Sequence, residues 1–229
     1  MSKEKTESLK ESPLAVENKV CVVIPYSKAL HIPMALLYAI RSLFVNLIGE
    51  FRLMVIGDKE DWFGPELEYI PSEFSKQDTN GLIDEVLSRI PLVENLSSKF
   101  VIMLPNIILL NKLSFAHMMI PKVTETGRFD TGLPFAVDVK IFEDLMTGMP
   151  EEPITLEACQ RLSGMGTPIV VDWRKNEWLL PIVSSNPNPE LYAEFSKSRL
   201  FLRFGNNGWS DFLESWLSEK FAGKSVFEV

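Results

Sequence analysis

Between Lys19 and Gly57 two short apolar runs flank a helical repeat, and this arrangement restricts the fold more than any other feature of the chain. The first run, KVCVVIP over Lys19–Pro25, is valine-rich and bounded by charge and proline, the pattern of a strand buried on both faces. From Met34 to Leu47 the residues Leu37, Ile40, Leu43, Phe44 and Leu47 recur at spacings of three and four, with Arg41 and Asn46 off that stripe. That spacing predicts an amphipathic helix. FRLMVIG, Phe51–Gly57, predicts a second buried strand, closed by a Gly-Asp pair suited to a turn. A strand, a crossover helix and a strand favour a parallel sheet with a right-handed connection.

The alternation continues after a loop rich in proline and acid. GLIDEVLSRI predicts another helix, and FVIML, starting at Phe100, a third buried strand. Beyond Asn111 the order loosens: Glu157–Leu162 reads as helix, Thr167–Trp173 as strand, and Pro187 and Pro189 mark a loop. The closing DFLESWLSEKF, Asp211–Phe221, sets Phe212, Trp216 and Leu217 on one helical face, with Asp211 placed to favour the helix dipole. Residues 1–18 alternate Lys, Glu, Ser and Thr with little to bury, so ordering them costs entropy for small apolar return. The expectation is a flexible charged tail, 1–18, ahead of one α/β domain, 19–229, with a mostly parallel central sheet flanked by helices and an elaborated carboxyl half.

Composition narrows the function classes. The apolar content of 46% in 229 residues leaves ample material for a core. A formal charge of -8, from 31 acidic and 23 basic residues, supplies no broad basic face for nucleic acid. Cys21 and Cys159 are too few for a disulfide framework and lie in apolar segments, which points to a reducing compartment. The amino terminus has no apolar core of a secretory signal, and the greasiest stretch, Leu30–Ile48, carries Arg41 and Asn46 in mid-run. A soluble, cytoplasmic protein without a membrane span is expected.

In doubly wound sheets ligands sit at the carboxyl ends of the strands, which here are Pro25-Tyr26-Ser27, Gly57-Asp58 through Asp61-Trp62, and Pro105-Asn106. Tyr26 is suited to stack on a base, Asp58 to accept hydrogen bonds from a uracil or ribose, and Trp62 to cover a ring. Ordinary turns favour the same residue types, so both readings stay open. His31 and His117 have no partners at zinc-ligand spacing, no G-x-S-x-G elbow occurs, and Gly164-Met-Gly166 lacks the third glycine of a dinucleotide fingerprint. Glu66, Glu68, Glu73, Glu151 and Glu152 are the carboxylates available as acid or base, but such loop residues are usually solvated. No catalytic residue, metal ligand or cofactor is assigned on these grounds.

IPYSKALHIPMALLYAIRSL followed by FRLMVIGDKEDWF resembles the opening of a glycosyltransferase-like family of bacterial polysaccharide loci and phages, with the GT-A nucleotide-diphospho-sugar transferase fold. FDTGLPFAVDVKIFEDLM, the block around VDWRK and the terminal GWSDFLESWLSEKFAGKSVFEV continue the resemblance from about Lys19 to Val229, carried by the order of the blocks. In that family the third strand runs into an acidic pair, as in Asn-Asp-Asp-Ile-Tyr, which holds a divalent cation against the donor diphosphate. Here Pro105 and Asn106 stand on that pattern, flanked by Leu104 and Ile108, and Gly132 stands where the family has a histidine. The resemblance therefore implies that metal-dependent transfer is lost and that the chain is a binding or structural module, a pseudoenzyme within a larger assembly such as a phage particle. The alternative it leaves is an active, metal-independent glycosyltransferase using a nucleotide-sugar donor, with Arg128, Arg174 and Lys175 as the cations. Pro25, Tyr26, Arg41, Asp58, Asp61, Trp62 and Asn106 form the vestigial nucleotide site it implies. Several of these, with Asp172, would then serve the scaffold, Arg41 pairing with a strand-end carboxylate and Trp62 packing as a lid.

Overall fold

The computed structural model describes residues 19–65, 67–74, 78–120, 122, 130, 132–146, 161, 179–181, 189–205 and 208–222. In chain order its elements are β1 (Val20–Tyr26), α1 (Pro33–Asn46), β2 (Leu47–Ile48), β3 (Phe51–Gly57), β4 (Glu68–Pro71), α2 (Thr79–Arg89) and β5 (Lys99–Ile102). They continue with β6 (Ile107–Leu109), β7 (Leu113–Ser114), α3 (Phe115–Met119), β8 (Phe135–Asp138) and α4 (Val139–Met146). β9 (Leu179–Pro181), α5 (Pro189–Ser196), β10 (Phe201–Arg203) and α6 (Asp211–Lys220) complete them. The central sheet has the order β4-β3-β1-β5-β8. β1 lies parallel to β3 and β5, and β4 parallel to β3, while β8 closes the far edge antiparallel to β5. The expected mostly parallel α/β sheet flanked by helices is what forms.

The strands are apolar on both faces because both faces are covered. Val22, Ile24, Val55 and Val101 pack with Leu36, Ile40 and Leu43 of α1. Cys21, Val23, Met54, Phe100 and Ile102 pack with Ile83 and Val86 of α2 and Phe142 of α4. The alternation of these two sets is the period of two of a pleated strand.

The single apolar run FVIMLPNIILL becomes two strands of two sheets. The central strand stops at Ile102, short of the expected Leu104, because Leu104-Pro105-Asn106-Ile107 forms a turn in which the Ile107 N–H donates to the Leu104 carbonyl at 3.2 Å. The chain then enters β6 of a second sheet, ordered β6-β10-β9, in which β10 runs antiparallel to β6. Proline presets the second position of such a turn and asparagine tolerates the third.

That second sheet corrects the expected helix stripe. α1 is covered on two sides, so Ala35 and Tyr38 pack with Ile108, Leu202, Leu213 and Leu217 while the opposite face packs on the central sheet. Asn46, expected off the buried stripe, is 6% exposed, whereas Phe44, expected on it, is 37% exposed. β6 is an edge strand, and its outward-facing groups at Leu109 are satisfied by the helix. The Leu109 N–H donates to Ser42 Oγ at 2.9 Å, and Asn46 Nδ2 donates to the Leu109 carbonyl at 2.7 Å. In α6 the buried face is Leu213 and Leu217, with Phe212 and Trp216 partly buried beside it, and Ser210 caps the helix by accepting from the Leu213 N–H at 3.2 Å. Pro189, expected in a loop, opens α5, because proline is preorganised for the first turn of a helix. The tail, Thr167–Trp173, Cys159, Arg128, Asp172, Arg174, Lys175, Glu66, Glu151 and Glu152 lie outside the described residues, as does nearly all of Glu157–Leu162. No helix among the described residues is long and apolar enough to cross a membrane.

Candidate functional site

The carboxyl ends of β1 and β3 are joined before any ligand arrives. Gly57 ends β3 with φ +129°, and a Cβ there would stand 2.1 Å from the Tyr26 carbonyl and 2.6 Å from the Phe74 ring, so only glycine fits. The Asp58 N–H donates to the Tyr26 carbonyl at 2.9 Å, and Asp58 Oδ2 accepts from the Lys28 N–H at 2.6 Å. One carboxylate thus ties the loop after β1 to the end of β3.

Tyr26 is fully buried in the core, and its hydroxyl donates to Glu60 Oε1 at 2.5 Å, which leaves no ring face for a base. Burial, reinforced by the Glu60 hydrogen bond, drives its pKa well above the ordinary phenol value. Lys28 Nζ lies 3.5 Å from the same Glu60 oxygen. Pro25 is buried within β1 and Asp61 is exposed. Trp62 is partly buried and meets Phe63 edge-on, with centroids 4.9 Å apart, packing against the core. His31 stands beside Tyr26, and burial pushes its pKa down to about 4, against the opposing pull of its Ser27 backbone hydrogen bond.

Arg41 belongs to the helix that follows β1. It sits on the third turn of α1 with its guanidinium carbon 5.6 Å from the centroid of the Tyr38 ring. The Tyr38 hydroxyl is hydrogen-bonded to Ser218 of α6, so this ring marks the side of the helix turned to the second sheet and α6.

An open cleft of about 450 Å³ lies at the ends of β3 and β4, lined by Gly57, Asp58, Lys59, Tyr69, Ser72, Glu73 and Arg89 among others. Tyr69 donates its hydroxyl to the Gly57 carbonyl at 2.8 Å. Arg89 Nε donates to Glu85 Oε1 at 2.8 Å and to Ser72 Oγ at 3.1 Å. The lining mixes two acids with two cations, so it carries no strong field of either sign. Of the two described candidate carboxylates, Glu73 reaches this cleft, whereas Glu68 forms a two-point pair with Arg52, at 2.7 and 2.6 Å, at the other end of β4.

At the turn between β5 and β6, Asn106 Nδ2 donates to the Phe204 carbonyl at 2.7 Å, while its buried Oδ1 has no hydrogen-bond partner among the described residues. Pro105 and Leu104 are buried. Gly132 lies against an ion pair, in which Arg203 Nη1 donates to Asp130 Oδ1 and Oδ2 at 2.8 Å each. A Cβ at Gly132 would stand 2.7 Å from that Nη1 and 3.0 Å from Oδ1. Below the pair, Lys122 is 1% exposed and donates to the carbonyls of His117, Met118 and Pro134 at 3.1, 2.7 and 2.7 Å. Burial pushes its pKa down to about 7, against the opposing pull of Asp130. No cluster of three or more metal-ligating side chains occurs among the described residues.

Glu60, Lys122 and Arg203 carried no signal in the sequence: Glu60 bonds Tyr26 across 34 positions and Arg203 meets Asp130 across 73, separations that no local pattern encodes, and Lys122 joins two carbonyls within five residues to that of Pro134, 12 positions on.

No family model matches the chain, and no curated protein matches it. Among solved structures it is similar to the crystal structure of an active-site mutant of LgtC, a GT-A glycosyltransferase, with a TM-score of 0.49 and 10% identity over 92% of this chain and 97% of that one.

Proposed function

We propose that this chain is a glycosyltransferase-like binding module in which metal-assisted sugar transfer has been lost. The observation that supports it most is the turn between β5 and β6. A divalent cation against a diphosphate needs charged oxygen ligands. The turn offers a buried proline and a neutral amide whose nitrogen is held by the Phe204 carbonyl, with buried Leu104 and Ile107 on either side. Gly132 adds no proton-transfer group, and the Arg203–Asp130 pair stands where a side chain there would go. The internal hydrogen bonds of Asp58 and Glu60 give these strand-end acids work in the scaffold.

The module then acts by binding, either to a nucleotide sugar without turnover or to a protein partner in an assembly. Transfer without a metal is the second reading, supported by Lys59 and Arg89 in the strand-end cleft. Thermal shift with UDP-, GDP- and CMP-sugars, with and without manganese, separates these cases when paired with a chromatographic assay for donor consumption. The expected result is no manganese-dependent shift and no turnover. A saturable shift that needs manganese, or donor consumption with any sugar, would sink the proposal. Light scattering of the eluting protein reports on assembly.

A further inference from the structure

The group with the most unused hydrogen-bonding capacity beside the altered turn is Arg203, the last residue of β10. It stands opposite Ile107 in the β10–β6 register, and the following Phe204 bonds Asn106. Its side chain is 31% exposed, and the Asp130 it pairs with is 10% exposed. Only Nη1 faces that carboxylate, so Nε and Nη2 retain their N–H groups without a partner among the described residues. Neither nitrogen is among the buried side-chain atoms left without a partner, so both reach solvent, and Gly132 places no side chain between the guanidinium and Asp130. Asp130 accepts both of its bonds from Nη1, which fixes the guanidinium plane. A guanidinium fixed by one nitrogen and open at its other edge matches the planar, two-point recognition of oxyanions.

We propose that the open edge of the Arg203 guanidinium is an oxyanion site that takes a phosphate group without a metal ion. The proposal rests on the reading that metal-assisted transfer is lost, and it names the fixed charge that stands in for the cation. The ligand class is a small phosphorylated molecule with a terminal or bridging diphosphate.

Isothermal titration of the full chain in EDTA tests it, with inorganic pyrophosphate and UDP as separate probes. Saturable pyrophosphate binding in the millimolar range or tighter is expected, and tighter binding of UDP would identify a nucleotide as the source of the phosphate. Arg203→Met should abolish binding. Arg203→Lys, which keeps a cation for Asp130 and so guards against a mere folding defect, should weaken it by about tenfold, the equivalent of one charged hydrogen bond. Asp130→Asn, checked for folding by circular dichroism, should leave pyrophosphate binding intact or tighter. Absence of binding up to about 10 mM, a very weak affinity by any standard, would overturn the proposal, as would wild-type affinity in Arg203→Lys. The underlying reading fails on a different result, manganese-dependent donor consumption, which leaves the comparison of Arg203 variants interpretable by itself.

Discussion

At the scale of single residues, two positions make sharp demands. Gly57 combines a positive φ with a Cβ position 2.1 Å from the Tyr26 carbonyl, and that atom is backbone that cannot step aside. Gly57→Ala is expected to destabilise the protein by roughly 2–4 kcal/mol, read from urea unfolding, since strain and overlap add. A change under 0.5 kcal/mol, the usual size for an unconstrained surface site, would contradict the strand-end geometry. His31 makes a different demand. Its pKa is pushed down to about 4 in the fold against 6.5 ordinarily, so the folded state prefers the neutral ring. The unfolded chain takes up the proton first, and the stability present above pH 6.5 is lost as pH falls toward 4. The loss is at most about 3.4 kcal/mol. His31→Gln should flatten this part of the stability-against-pH curve, and an unchanged slope would count against a buried neutral imidazole. Neither demand is legible locally. Gly57-Asp58 reads as a turn, but the carbonyl and the Phe74 ring that exclude a side chain belong to other segments.

At the scale of elements, α1 is the informative case. Its apolar spacing announced a helix, and the helix forms within one residue of the expected bounds, Pro33–Asn46 against Met34–Leu47. The assignment of faces did not survive. An amphipathic stripe presumes one covered side, and α1 has two, so Ser42 and Asn46 are buried to satisfy the edge of β6. Asn46→Leu should therefore cost about 1–3 kcal/mol despite its greater hydrophobicity, because it leaves the Leu109 carbonyl unpaired. Thermal or chemical unfolding checks this, and a stabilised variant would show that the amide is dispensable. Phe44→Ser, on the exposed side, should change stability by less, because its ring already contacts water. The same logic explains FVIMLPNIILL. Hydropathy sees one apolar run, and only the partners β1 and β10 divide it between two sheets.

At the scale of the whole molecule, the strand-end cleft, the turn at Pro105-Asn106 and the Arg203–Asp130 pair draw on segments far apart in sequence. The metal prediction belongs here. Millimolar manganese alone should leave the melting temperature of the wild-type chain unchanged, because the turn at Pro105-Asn106 offers a cation a neutral amide and no carboxylate. Pro105→Asp with Asn106→Asp should create manganese-dependent nucleotide binding if the turn is a former cation site, and an unaltered titration would remove the support for that assignment.

Sequence alone determined the order β1, α1, β3, α2 and β5, the parallel sheet and the turn at Pro105, but not β4, which forms in the stretch read as a loop, because periodicity, β-branching and proline act over a few neighbouring residues. Tertiary structure decided which face of α1 is polar, that Tyr26 is core and hydrogen-bonded to Glu60, and that Arg203 meets Asp130 across 73 positions. The division has a physical cause. Secondary structure is set by local dihedral and burial preferences, whereas an ion pair or a satisfied strand edge depends on which distant segments the packed sheets bring into contact.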